Sequence, residues 1–158
     1  MTPEYLAGFF DGEGCIDVQR MYPREGKGRL YVRPRVRLAQ TASCRVVLDR
    51  LQAEYGGHIR GRKHGKGKQQ DSLSWEFLDR AGLVRMLNVM IPHLVVKKEQ
   101  AKLALWWLEN ASGRSGHNGR RPQLEQARQL FMDELKAMKR DPSRDSETVI
   151  NVISPLLD

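Results

Sequence analysis

Residues 6–14 of the chain read Leu-Ala-Gly-Phe-Phe-Asp-Gly-Glu-Gly, so that small residues are interspersed with bulky apolar ones. This stretch lies in a predicted helix that is capped by Thr2 and runs to about Asp11, because a threonine hydroxyl satisfies an unpaired amide of the first turn. Gly8 and Gly12 are four residues apart and therefore share one face of the helix. A face without side chains allows a second helix to approach to backbone contact.

The stretch occurs once in a chain of 158 residues, which is too short for a second copy of such a domain. A two-fold homodimer supplies the counterpart, because the same small face then serves both partners. We therefore predict a homodimer with an interface that contains Ala7, Gly8 and Gly12. The alternative is a helix that packs inside its own monomer.

The composition indicates the class of partner. There are 27 Lys and Arg residues against 19 Asp and Glu, a net charge of +8, which favours a polyanionic partner. The longest apolar run, Leu103–Leu108, is far short of the roughly 20 residues that span a bilayer, so no membrane partner is expected. The first residues lack the basic start of a signal peptide, and the two cysteines predict no disulfide framework. We expect an intracellular protein.

Alternation of polar and apolar residues predicts four strands. From Tyr31 the sequence reads Tyr-Val-Arg-Pro-Arg-Val-Arg-Leu, with the arginines on one parity and the apolar residues on the other. Similar alternation marks residues 15–22, 58–62 and 72–77. With the helices, the order is αββαββα. It predicts an α+β fold in which a four-stranded antiparallel sheet has helices on one face and a basic open face.

Helical periodicity accounts for much of the remaining sequence. The further predicted helices cover about 43–55, 80–91, 97–110 and 122–139, with a short one from Ser146. Asp79 can cap the helix over 80–91, and the turn formers of 112–122 predict a loop. Residues 1–158 are expected to form one domain, with the helices from about residue 122 packed on its core.

The stretch at residues 6–14 resembles the LAGLIDADG motif of homing endonucleases. The matching positions are Leu6, Ala7, Gly8, Asp11 and Gly14, with an acid, Glu13, at the eighth position, where most relatives have aspartate. The αββαββα order is also the family's core order. Similarity continues at Pro92–Lys97, 100–101 and 146–149. The chain is most similar to the single-motif, homodimeric group of this family.

This resemblance implies a site-specific double-strand DNA endonuclease that cleaves a long pseudo-palindromic site as a homodimer, by metal-dependent phosphodiester hydrolysis. It assigns the metal to the Glu13 carboxylate and the Gly12 carbonyl, with Mg²⁺ as the expected ion. Mn²⁺ is expected to substitute, and Ca²⁺ to support binding without cleavage. Asp11 is the weaker candidate, because its position favours shaping the helix end. No small-molecule substrate is expected.

The resemblance implies three further catalytic residues. It assigns to Lys97 the stabilisation of the negative charge that develops on the phosphate, with the adjacent Lys98 as the alternative. It assigns the ordering of water to Gln40. The family's companion arginine falls on Cys44, which is expected to be a buried helix residue, so the neighbouring Arg45 is the candidate for that role.

The basic sheet face suggests how DNA is read, since the major groove admits a two-stranded ribbon. Arginines suit guanine edges or phosphates, acids and amides suit adenine or cytosine edges, and a methionine suits a thymine methyl. The residues expected to contact double-stranded DNA are Asp17, Gln19, Met21, Arg33, Arg35, Arg37, Arg60, Arg62, Ser72, Ser74, Glu76, Arg140 and Arg144.

Two other functions compete with this interpretation. A non-cleaving LAGLIDADG protein that binds DNA or RNA, as a splicing maturase or a regulator, would share the fold. The acid at Glu13 and the presence of Lys97 favour cleavage. A general RNA-binding protein is disfavoured, because RNA recognition uses aromatic stacking platforms and the polar strand faces lack them.

Overall fold

The computed structural model describes residues 1–21, 31–62, 71–111 and 122–157. The elements in chain order are α1 (Pro3–Glu13), β1 (Gly14–Met21), β2 (Tyr31–Thr41), α2 (Arg45–Tyr55), β3 (His58–Arg62), β4 (Ser72–Glu76), α3 (Arg80–Met90), α4 (Lys98–Asn110), α5 (Pro122–Arg140) and α6 (Ser146–Ile153), with short 3-10 helices at Ala42–Cys44 and Ser154–Leu156. The predicted loop at 112–122 lies outside the described residues except for Pro122, where α5 begins.

The four strands form one sheet in the order β1-β2-β4-β3. Both β2 and β3 pair antiparallel with β4, so Trp75 lies opposite Leu38 on one side and opposite Ile59 on the other. These three side chains share one face of the sheet, as the period of two requires. The predicted αββαββα order and the antiparallel α+β fold are confirmed.

The chain divides into two compact units. The first unit contains Met1–Ile16 and Arg35–Val95, and the second contains Asp17–Pro34 and Val96–Asp158. Strands β1 and β2 each contribute residues to both units. The expected single domain stays a prediction.

The core of the first unit is built on the inner strand β4. Helix α2 packs on β3 and β4, and α1 packs on α3. Leu6, Phe10, Leu48 and Trp75 are fully buried there. The Trp75 indole Nε1 donates to the Gly56 carbonyl oxygen at 2.7 Å, which satisfies a polar atom that burial would otherwise leave unpaired.

The core of the second unit is helical. Helix α4 packs against both α5 and α6. The Trp107 ring stacks on Phe131 with a centroid distance of 4.2 Å, and its Nε1 donates to the Val32 carbonyl at 3.3 Å. Buried Gln100 donates to the Met138 carbonyl at 3.1 Å. None of the described helices combines the length and the apolar character needed to cross a membrane.

Both predicted helix caps are confirmed. The Thr2 hydroxyl accepts a hydrogen bond from the Tyr5 amide at 3.3 Å, and the Asp79 carboxylate accepts one from the Gly82 amide at 2.6 Å. Each cap satisfies one of the amides that the first turn of a helix leaves without a partner.

Helix α1 is longer than predicted. It continues past Asp11 to Glu13, because the amide of Gly14 still donates to the Phe10 carbonyl and so completes the last turn. The chain then passes directly into β1. Gly14 is required at this junction, because a Cβ there would overlap the Phe10 ring.

Candidate functional site

The outer face of α1 carries Gly8 and Gly12. Both are exposed, and a Cβ built on either would meet no described atom beyond the helix's own backbone within 4 Å. Ala7 does not belong to this face. It is 0% exposed in the single chain and offers no surface to a second copy, so its assignment to the dimer interface was wrong. One residue turns an α-helix by about 100°, and that step moves Ala7 from the outer face into the core.

Glu13 is the last residue of α1, and its side chain is exposed. The last carbonyls of a helix lack intrahelical partners and carry partial negative charge. An exposed carboxylate beside the Gly12 carbonyl is therefore a set of hard oxygen donors that attracts a cation. These donors suit Mg²⁺. Among the described residues, no three His, Cys, Asp or Glu side chains gather as a metal site.

Asp11 has a structural contact. Its Oδ2 atom accepts a hydrogen bond at 2.7 Å from the backbone amide of Val95, which follows α3 in the chain. This bond ties the end of α1 to a segment 84 residues away in sequence. It supports the expectation that Asp11 shapes the helix end.

Gln40 and Arg45 lie in the first unit, after the arginine row of β2. Gln40 is half-buried and pairs with Leu73, on the sheet face opposite to the arginines. Arg45 begins α2, and its Nε lies 3.2 Å from both carboxylate oxygens of Asp49. Cys44 is exposed, so its predicted burial was wrong. A 3-10 helix precedes α2 and leaves Cys44 at the surface.

Lys97 lies in the second unit, at the cap position of α4, and is half-buried. Its carbonyl accepts the Ala101 amide at 2.9 Å, which makes Lys97 part of the first helical turn. Its rival Lys98 is the first residue of α4 and is also half-buried.

The turn that carries Lys97 is held by Glu99, a residue that the sequence reasoning missed. One carboxylate oxygen accepts from the Lys102 ammonium at 2.7 Å; the other accepts from the hydroxyl of buried Ser146 at 2.6 Å and from its amide at 3.1 Å. Partial burial opposes ionisation, but the bonds from Lys102 and Ser146 outweigh it and lower the pKa of Glu99. The similarity at 146–149 was the available signal.

The polar sheet face of the first unit consists of three cross-strand rows. They are Arg37–Glu76–His58, Ala39–Ser74–Arg60 and Thr41–Ser72–Arg62, each in the order β2-β4-β3. The predicted parity of these strands is confirmed. Within the described part of the chain, the Ser74 hydroxyl is buried and makes no hydrogen bond. Glu76 is the buried acid of this face, at 6% exposure.

The remaining predicted DNA contacts lie in different environments. Arg33 donates to the Gln19 amide oxygen at 3.3 Å, and Arg35 is half-buried. Arg140 is exposed at the end of α5, and Arg144 pairs with Glu134 at 2.6 Å. A cavity of about 440 Å³ in the second unit is lined by Asp17, Val18, Arg20, Met132, Asp133, Leu135, Lys136 and Lys139. The side chains of Met21 and Arg62 lie outside the described part.

Comparison with known proteins agrees with this architecture. Residues 6–80 match the family model described as LAGLIDADG endonuclease, while no curated protein matches the chain. The homing endonuclease I-CvuI, in complex with uncleaved I-CreI target DNA in the presence of 2 mM Mg, has a TM-score of 0.67 at 22% identity. The match covers 98% of this chain and 93% of that one.

Two further structures match with similar scores. The archaeal intron-encoded homing endonuclease I-Vdi141I, complexed with DNA, has a TM-score of 0.63 at 18% identity, covering 98% of this chain and 95% of that one. I-SmaMI, bound to uncleaved DNA target in the presence of calcium ions, has a TM-score of 0.62 at 20% identity, covering 98% of this chain but 49% of that one. The predicted fold is confirmed, and residues 6–80 match the model of the predicted family.

Proposed function

We propose that this chain, whose residues 6–80 belong to the LAGLIDADG endonuclease family, is a site-specific endonuclease that cuts both strands of a long pseudo-palindromic DNA site as a homodimer. The observation that carries the proposal is the outer face of α1. No described side chain covers Gly8 or Gly12 on this face, and the same helix ends in the exposed carboxylate of Glu13.

The similarity of this chain to about half of a longer relative supports the homodimer. This chain spans about half of I-SmaMI, so a second copy would supply an equal amount of structure. Two-fold symmetry places the Gly8 and Gly12 faces against each other without side chains between the helices. It also brings the two copies of Glu13 to the same end of the helix pair, where their carboxylates face a shared DNA backbone.

The catalytic centre uses Glu13 and the Gly12 carbonyl to hold Mg²⁺, with Mn²⁺ as a substitute and Ca²⁺ as an ion that supports binding alone. When bound, the metal supplies charge neutralisation and an activated water. We assign to Lys97 the stabilisation of the negative charge that develops on the scissile phosphate. Gln40 orients the attacking water, and Arg45 provides a second positive group.

The sheet and the C-terminal region bind the DNA. Residues of β1 to β4 on the polar parity enter the major groove, and Arg140 and Arg144 contact the phosphate backbone. The basic charge of the chain and its exposed arginines support this assignment. The protein acts inside a cell, either in bacterial or phage-infected cytoplasm or in an organelle.

One experiment tests the proposal directly. The full chain is incubated with a randomised duplex library and Mg²⁺, and the cut ends are sequenced. We expect one pseudo-palindromic site to be enriched among the ends. Enrichment by binding without any cut ends would instead identify a non-cleaving DNA-binding protein of the same fold.

A further inference from the structure

The polar face of the first unit contains an acid where the surrounding residues are basic. Glu76 lies on β4 between Arg37 of β2 and His58 of β3, which are its two cross-strand partners. Directly opposite side chains in a sheet have Cβ atoms about 4.5–5.5 Å apart, so both neighbours are within reach of the carboxylate. A third basic residue, Arg60, comes from the next row of β3.

The contact between Glu76 and Arg60 is asymmetric. The Arg60 Nε atom lies 2.8 Å from Glu76 Oε1, with the arginine side chain 61% exposed and the glutamate 7% exposed. A buried carboxylate is costly unless it is paired and hydrogen-bonded. The Glu76 carboxylate is therefore strongly favoured to remain in contact with the Arg60 guanidinium. The buried Glu76 carboxylate therefore fixes the Nε atom of Arg60, while most of the arginine side chain stays exposed.

The geometry of the pair leaves a specific edge of the guanidinium available. Because the described contact engages Nε, the two terminal nitrogens of Arg60 form the outward edge of a planar fork. Guanine presents O6 and N7 in the major groove, and an arginine binds these two acceptors with two parallel hydrogen bonds. Pinning Nε removes most of the rotational freedom that such a bidentate contact would otherwise lose on binding.

We infer that Glu76 is a positioning residue that orients Arg60 to read a guanine in the target site, rather than a residue that contacts a base itself. The inference rests on the proposed DNA-binding function and deepens it. Glu76 thereby sets base preference at one position in each half-site, although its own carboxylate is covered.

The test is a double-mutant cycle on the full chain. Selection from a randomised duplex library gives the preferred site of the parent, and Arg60→Ala identifies the G·C pair that depends on Arg60. Affinities of the parent, Arg60→Ala, Glu76→Gln and the double variant are then measured on this duplex and on one with that pair changed to A·T. Glu76→Gln is nearly isosteric, and urea unfolding checks that each variant folds.

We expect Arg60→Ala to reduce discrimination for the G·C pair by about 5- to 150-fold per contact. Glu76→Gln should lose most of the same discrimination, and the double variant should lose no more than Arg60→Ala alone. Arg60→Lys should resemble Arg60→Ala, because an ammonium cannot make the bidentate contact. Glu125→Gln, which removes an acid from the Glu125–Arg128 pair on α5, serves as the charge-matched control and should leave discrimination unchanged.

Several outcomes would overturn the inference. If Glu76→Gln kept the parental discrimination between the G·C and A·T duplexes, even with tighter binding to both, the acid would affect only the net charge of the DNA-binding face. Additive losses in the double variant would show that Glu76 reads a base itself. Unchanged base preference in Arg60→Ala would show that Arg60 reads none. A parent that selects no sequence at all would refute the proposed function, and this inference with it.

Discussion

Substitution of Gly8 should have opposite effects on the stability of the single chain and on the stability of the proposed homodimer. In an isolated chain the Cβ of Gly8→Ala meets no described atom beyond its own helix within 4 Å, so the variant gains helix propensity. That gain is about 0.5–1 kcal/mol of unfolding free energy. In the proposed homodimer the same Cβ lies between two closely approaching helices.

The larger variant Gly8→Leu makes the effect measurable. Overpacking of a well-fitted contact costs about 1–3 kcal/mol, and a two-fold interface contains the substitution twice. The dimer should therefore be weakened by about 2–6 kcal/mol, which is about 30-fold or more in the dissociation constant. Sedimentation equilibrium measures this constant, and urea unfolding of the dissociated chain checks that the fold is kept.

A matched control is Gln126→Leu, which places the same bulk at an exposed position of α5. It should dimerise as the parent does. Dimerisation of Gly8→Leu with the parental dissociation constant, or a parent that stays monomeric on DNA, would refute the assignment of this helix face to the interface.

The other predictions concern catalysis, binding and stability. Glu13→Gln should bind DNA without metal at least as tightly as the parent but cut very slowly in single-turnover assays; a parental rate would remove Glu13 from the metal site. Asp11→Asn should lower the free energy of unfolding, measured in urea, and should have little effect on the single-turnover cleavage rate, because Asp11 accepts a hydrogen bond from the Val95 amide. Affinity should fall by about 10³–10⁵ between 50 and 200 mM salt if six to ten phosphates are contacted, and a flat salt titration would exclude this. Because the pKa of Glu99 is lowered from its ordinary value of 4.5, ionised Glu99 stabilises the fold at pH values above 4.5. This stabilisation is lost as the pH falls through the lowered pKa. Glu99→Gln should therefore lose less unfolding free energy than the parent on acidification, as measured by urea unfolding.

The order of elements could be predicted because its signals are local. Thr2 and Asp79 cap their helices through contacts only three residues long. The period of two along β2 and β4 placed Arg37 and Glu76 on the same face before any register was known.

The parts that could not be predicted depend on contacts distant in sequence. Ala7 and Gly8 are both small, and only packing decides that one faces the core and the other faces solvent. Glu76 looks like an exposed strand residue, and its burial follows from the pairing of β4 with β3 and from Arg60. The bond between Glu99 and Ser146 spans 47 residues, which no periodicity reveals.

The alternation of faces on β3 and β4 has a consequence for how such a protein can change its target. Both strands lie within 19 consecutive residues, 58–76, and their core-facing positions are separate from the positions on the polar face. Substitutions at the polar positions therefore leave Trp75 and its bond to Gly56 untouched. Under the proposed DNA-binding function, the exposed polar positions of β3 and β4 can therefore change toward new recognition sequences while the core contacts of Trp75 are kept.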